Sequence, residues 1–256
     1  MIIRKSPQEL EKMRRSGLLV WEILKQLAAM VEDGLSTWDL EVAAERMIAD
    51  AGAKPAFKGY YSQAAGTRYP YVLCVSVNAE IVHGMPAPKK VLRPGDLVSI
   101  DTGVSLNGYF GDSAITVAVP PVSDEAQRLL AVTQEALELA IAQCRSGNRL
   151  FDISGTVERH VVRHGFSVVR EFVGHGIGTS LHEEPQVPNY IDRRNDNPRL
   201  KEGMVLAIEP MVNAGKPHAT VLADKWTAVT KDGKPSAHFE HVVAITANGP
   251  WVLTRP

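Results

Sequence analysis

A chain of 256 residues with 28 basic against 29 acidic side chains carries almost no net charge, which excludes a general polyanion or membrane-surface binder. With 45% hydrophobic and 22% charged residues it can bury a sizeable core, and two cysteines, Cys74 and Cys144, are too few for a disulfide framework, so a reducing, cytoplasmic setting is expected. The opening Met-Ile-Ile-Arg-Lys-Ser-Pro lacks the apolar core of a signal peptide, and no apolar run reaches the roughly 18 residues that a membrane span needs.

Ser6-Pro7-Gln8-Glu9 combines a serine cap, a proline at the first helical position and a glutamate at the third, which predicts a helix running to about Met30. A second helix follows Ser36-Thr37 and stops at Gly52. Residues 72–82 and 97–119 read as extended, with Asn107-Gly108 as a hairpin turn. Ser123 caps a long helix reaching about Arg145, and a further helix begins near Asp152 and stops at Gly165. From residue 166 onward the chain reads as strands and loops.

An internal echo appears at an offset of 113 residues: Gly34 meets Gly147, Asp39 meets Asp152, Glu45-Arg46 meets Glu158-Arg159 and Gly52 meets Gly165. The order of elements repeats as well, so the chain reads as two related halves. No linker separates them, and residues 1–256 are expected to form one domain with its site between the halves.

Three carboxylates lie in apolar strand contexts: Asp101 in Val98-Ser99-Ile100-Asp101, Glu209 in Leu206-Ala207-Ile208-Glu209, and Glu240 ahead of His241 and Val242-Val243-Ala244. Burying one unpaired carboxylate is costly, and several together need a common counter-charge. No basic partner lies nearby in sequence, so a metal cation is the economical explanation. If Asn107 and Gly108 form the turn, Gly103 faces Asp112, and Asp101 and Asp112 become diagonal neighbours on one face. His175, in Gly174-His175-Gly176-Ile177-Gly178, is presented by tight backbone; this is no nucleotide loop, since His182-Glu183-Glu184-Pro185 follows where a helix is required. Four oxygen donors and one imidazole suit hard or borderline divalent ions. A pair of such ions activates water and polarises a carbonyl or phosphoryl group, and the ligands alone do not choose between amide and phosphoester hydrolysis.

Asp101 and Asp112 at their spacing, Gly-His-Gly-Ile-Gly, His-Glu-Glu-Pro, Ile-Glu-Pro-Met and Phe-Glu-His together closely resemble type I methionine aminopeptidases of the M24 metallopeptidases, over about residues 6–254. The resemblance implies an α+β "pita-bread" (creatinase/aminopeptidase) fold, with two pseudo-twofold-related halves around a mainly antiparallel curved sheet. It implies two divalent ions per chain, from among Co, Mn, Fe, Zn and Ni. Asp101 would chelate one ion, Asp112 and Glu240 would bridge both, and His175 and Glu209 would complete the other, with Glu209 also carrying a proton. His182 would hydrogen-bond the scissile carbonyl, and His83 would contact the substrate backbone and help transfer a proton. Tyr69, Cys74 and Trp226 would form an apolar methionine pocket, and Asn78 and Ser236 would help coordinate a monovalent cation.

The chain departs from the family pattern at Leu181, where relatives often carry an aromatic residue, and residues 57–68 do not align cleanly. The absence of a long insertion between His175 and Glu209, and of a cysteine-rich N-terminal extension, fits the short bacterial form. The activity implied is removal of N-terminal methionine from peptides and nascent proteins with a small second residue. The implied setting is a cytoplasmic monomer in transient contact with ribosomes, with no membrane and no specific nucleic-acid partner. Xaa-Pro aminopeptidases and prolidases are the nearest alternative, although they usually carry an extra N-terminal domain. A non-catalytic binding module on the same fold is the other; such modules have typically lost ligands that are all present here.

Overall fold

A computed structural model describes residues 1–256. Helix α1 (Pro7–Met30) begins where Ser6 and Glu9 cap each other's backbone, and it buries the stripe Leu10, Met13, Val20, Ile23, Leu24 and Leu27. Helix α2 (Thr37–Asp50) uses the same device with Ser36 and Asp39. Both cover one face of an antiparallel sheet in which strand Leu97–Leu106 pairs with Tyr109–Ala118 on one side and with Leu73–Val77 on the other. The expected extended stretch 72–82 is broken at Asn78, whose φ of 55° turns the chain into a second short strand, Glu80–Val82.

The second half repeats the plan. Helix α3 (Asp124–Ala142) is capped by Ser123 and packs on α4 (Leu150–Arg163). Helix α4 starts two residues before the expected Asp152, because that carboxylate accepts the Arg149 N–H at 2.7 Å and so occupies the third helical position. Helix α3 ends at Ala142, short of Arg145, in a turn closed by the Cys144 N–H to the Ile141 carbonyl at 2.9 Å. These helices and the strands beneath them bury the larger core, from Leu97 and Leu129 through Val157 to Ile245. The sheet below runs in the order Glu183–Val187, Gly174–Gly176, Val205–Ile208, His241–Thr246 and Gly249–Val252, with every neighbouring pair antiparallel.

The two halves meet along one seam. The Glu240 N–H donates to the Ala114 carbonyl at 2.9 Å, and the Thr116 hydroxyl donates to the His238 carbonyl at 2.7 Å while accepting the His238 N–H at 2.8 Å. Two helix-covered antiparallel sheets are thereby joined edge to edge. No helix is long and apolar enough to cross a membrane.

Candidate metal centre

The hairpin turn at Asn107-Gly108 has φ of 53° and 82° at its two residues, as a tight primed turn requires. That turn fixes the register, Gly103 faces Asp112, and Asp101 therefore sits diagonally across from Asp112. Glu240 arrives from the other half through its bridge to Ala114, two residues from Asp112. Glu209 directly follows strand Val205–Ile208, and Asn189 Nδ2 donates to its carbonyl at 2.9 Å.

His175 lies in an interior strand of the second sheet, between Glu183–Val187 and Val205–Ile208. A Cβ at Gly174 would stand 2.4 Å from the Ala207 carbonyl oxygen, and one at Gly176 would stand 2.2 Å from that of Glu184. The glycines are there so that three backbones can close around one imidazole.

Asp101, Asp112, His175, Glu209 and Glu240 all line one cavity of about 160 Å³, together with His83 and His182. Asp112, His175 and Glu240 each offer a ligand atom within 4.8 Å of the others, and so do Glu209, His238 and Glu240. Asp101 Oδ1, Asp112 Oδ1 and Glu240 Oε1 are buried without a hydrogen-bond partner. The only basic side chains within 4 Å of the four carboxylates are imidazoles, which burial keeps uncharged: His175 at 3.9 Å from Asp112 and 3.6 Å from Glu209, and His238 at 3.6 Å from Glu209.

Burial pushes the Asp101, Glu209 and Glu240 carboxyls well up, and neighbouring carboxylates push them further. Burial raises Asp112 to about 7. Without a cation these groups cannot all ionise together, and their orphaned oxygens have nowhere else to turn. An oxygen-rich site with one or two imidazoles and no thiolate fits hard or borderline divalent metal ions.

The same cavity has an apolar end. Tyr69, Cys74 and Trp226 cluster there with Ala65, and the Tyr69 and Trp226 rings meet edge to face at 5.0 Å. Cys74 faces Asp101 in the strand register, so this end abuts the carboxylates. Burial pushes both the Cys74 thiol and the Tyr69 phenol well up, and both are neutral. The two remaining histidines lining the cavity, His83 and His182, are also held neutral. Burial lowers His83 to about 4, with His182 adding to the shift; His182 is exposed at the mouth of the cavity, and partial desolvation of its ring lowers it. His182 sits between the rings of His175, at 4.3 Å, and Tyr60, at 5.1 Å.

The family model described as metallopeptidase family M24 matches residues 11–247. The chain belongs to metallopeptidase family M24. Within it, methionine aminopeptidase 1 of Bacillus subtilis is 50% identical over 255 residues, covering 100% of both chains. The methionine aminopeptidase of Aquifex aeolicus is 47% identical, over 98% of this chain and 97% of its own. The crystal structure of methionine aminopeptidase from Thermotoga maritima matches with a TM-score of 0.94 at 43% identity over 100% of both chains. A prolidase from Pyrococcus furiosus matches at a TM-score of 0.77 and 22% identity, over 99% of this chain and 66% of that one, and so shares the pita-bread fold.

This M24 chain thus brings together every residue singled out for the metal, the chemistry and the methionine pocket. Asn78 and Ser236 lie outside the cavity. They are joined by the Ser236 N–H to the Asn78 carbonyl at 2.9 Å, and both side chains have protein partners: Asn78 bonds Asp96 at 2.7 Å, and Ser236 bonds Val212 at 3.0 Å.

Sequence reading missed His238, which is 2% exposed with Nε2 unpaired. Its signal was present, because strand alternation puts residues 238 and 240 on one face. It also missed Phe57, Tyr60 and Ser62, which line the cavity from the poorly aligning 57–68 segment. That segment folds as a short hairpin, Tyr61–Ser62 against Thr67–Arg68. Leu181 lines the cavity as well.

Proposed function

We propose that this M24 metallopeptidase removes the N-terminal methionine from peptides and nascent proteins with a small second residue. The observation that carries this reading is a small apolar end, walled by Tyr69, Cys74 and Trp226, opening directly onto a buried carboxylate cluster. A cavity of about 160 Å³ is smaller than the roughly 300–1,000 Å³ of drug-sized pockets and suits a single side chain. Asp101, Asp112, His175, Glu209 and Glu240 would hold two divalent ions, with Asp112 and Glu240 shared between them. When bound, the ions supply Lewis-acid polarisation of the scissile carbonyl and acidify the attacking water.

The protein's own groups do the rest. Glu209, whose raised affinity for protons follows from its burial, takes a proton from the water and delivers it to the leaving amine. Neutral His182 donates a hydrogen bond to the carbonyl oxygen as negative charge builds there. His83, fixed at a φ of 58°, contacts the substrate backbone on the far side and assists proton transfer. Asn78 and Ser236 would help coordinate a monovalent cation outside the cavity.

Both halves supply ligands, so residues 1–256 act as one catalytic domain. Substrates of this kind are met in the cytoplasm as chains leave the ribosome, which the monomer would contact only transiently. The test is turnover of a Met-Ala-Ser peptide against an Ala-Pro peptide, after chelation and single-metal add-back. Cleavage of Met-Ala-Ser that disappears on chelation and returns with one of Co, Mn, Fe, Zn or Ni is expected. Preference for Ala-Pro, or indifference to chelation, would defeat the reading.

A further inference from the structure

The turn that delivers His182 is held by a residue from the far N-terminus. The side chains of Lys5 and Glu183 are 3% and 7% exposed, and Lys5 Nζ donates to Glu183 Oε2 at 2.6 Å. The other carboxylate oxygen, Oε1, accepts the N–H groups of Thr179 at 2.9 Å and Ser180 at 3.2 Å. Lys5 is itself anchored, because its backbone N–H donates to the Gly203 carbonyl at 2.6 Å and its ammonium also reaches the Ile3 carbonyl at 3.3 Å. Gly178 makes room for this arrangement. A Cβ there would stand 2.4 Å from Lys5 Cε and 2.5 Å from Glu183 Oε1. On the opposite side of the turn, the Phe110 N–H fixes the Gly178 carbonyl at 2.9 Å, from the hairpin that carries Asp112.

We propose that Lys5 is a positioning residue for catalysis: its ammonium holds the Glu183 carboxylate, which gathers the 179–183 turn and sets the His182 imidazole in the cavity. The proposal rests on the role given to His182 under the proposed function. A buried carboxylate that loses its cation turns towards water, because desolvated charge must be paired. Glu183 would then release the Thr179 and Ser180 amides, and the turn that carries His182 would relax. The nearest metal ligand, His175, lies on a strand that pairs with Val205–Ile208 as well as with Glu183 itself, and that second pairing would keep it, like the more distant ligands, in place. Misplacing a catalytic group by even an ångström costs up to about a hundredfold in rate.

The test is a double-mutant cycle with Mn²⁺-loaded enzyme on Met-Ala-Ser, using wild type, Lys5→Met, His182→Ala and the double variant. Lys5→Met is expected to lower kcat roughly tenfold or more with KM within about threefold, and the double variant to be no slower than His182→Ala alone. Lys5→Arg should restore most of the rate, since it returns a cation to Glu183. Calorimetric Mn²⁺ affinity should be unchanged in Lys5→Met. If Lys5→Met does not fold, Glu183→Gln, which keeps an acceptor for the amides and removes the charge, takes its place in the same cycle. Losses that multiply, or a Lys5→Met rate equal to wild type, would overturn the positioning role while leaving that of His182 intact. Full turnover by His182→Ala would overturn both.

Discussion

Ala114 and Glu240 are joined by the Glu240 N–H to the Ala114 carbonyl at 2.9 Å, and this one bridge sets a carboxylate from the second half beside Asp112 of the first. The Ser113 hydroxyl donates to the Glu240 carbonyl from the same side and locks the register. The site therefore exists only when both halves are docked.

Asp101 sits in this seam with Oδ1 buried and unpaired. Asp101→Ala should lower turnover by at least about a hundredfold, since a bound ion supplies several kcal/mol of transition-state stabilisation. It should not unfold the protein, because the residue removed is a buried charge without a partner. Peptide turnover beside a thermal melt of the metal-free protein checks both. Full activity in this variant would refute the ligand assignment.

The carboxylate cluster predicts an unusual pH dependence for the metal-free protein. Burial holds Asp112 near 7 and the other three carboxyls well above their ordinary values. The unfolded chain releases those protons at about pH 4. The folded state then binds more protons than the unfolded one, so stability falls as pH rises through about 7. His83, His175 and His238, lowered by burial to about 4, 3 and 3, act in the opposite sense, but only below about 6.5, where the unfolded chain would charge them. Between about pH 6.5 and about pH 8 the metal-free melting temperature should therefore drop, and excess Mn²⁺ should reverse the trend by pairing the ionised carboxylates. A melting temperature that rises across that window without metal would contradict the cluster.

Trp226 walls the apolar end of the cavity against Tyr69. Trp226→Leu should raise KM for Met-Ala-Ser roughly tenfold and narrow the preference for methionine over bulkier first residues, because a contact of a few methylenes discriminates by about that much. Steady-state kinetics on peptides beginning with Met, Leu and Phe would show it. An unchanged KM would place the methionine side chain elsewhere.

Glu41, 3% exposed, accepts the Val72 and Leu73 N–H groups at 2.9 Å each, at the start of the strand that carries Cys74. Glu41→Ala leaves two buried amides without an acceptor and should cost about 1–3 kcal/mol for each. Urea unfolding of the Mn²⁺-loaded protein reads this loss, and Mn²⁺ affinity should not move.

Much of the centre was legible because the signals were local. A serine cap three residues from a carboxylate named each helix start at Ser6 and Ser36. The Asn-Gly turn fixed how Asp101 meets Asp112, since side-chain alternation in a hairpin has period two. His238 escaped although alternation puts it on the face of Glu240, because only the fold shows that this face meets Glu209. Tyr60 escaped because its hairpin is short and carries little patterned burial.

By itself, then, the sequence determined the helix starts after Ser6, Ser36 and Ser123 and the hairpin register. Each of these is settled by backbone hydrogen bonds within a few residues. Only the tertiary structure decided that Ala114 pairs with Glu240, that Glu209 faces both His175 and His238, and that Lys5 reaches Glu183. Those approaches join segments far apart in the chain, and they follow from which apolar faces bury each other, a choice no local spacing records.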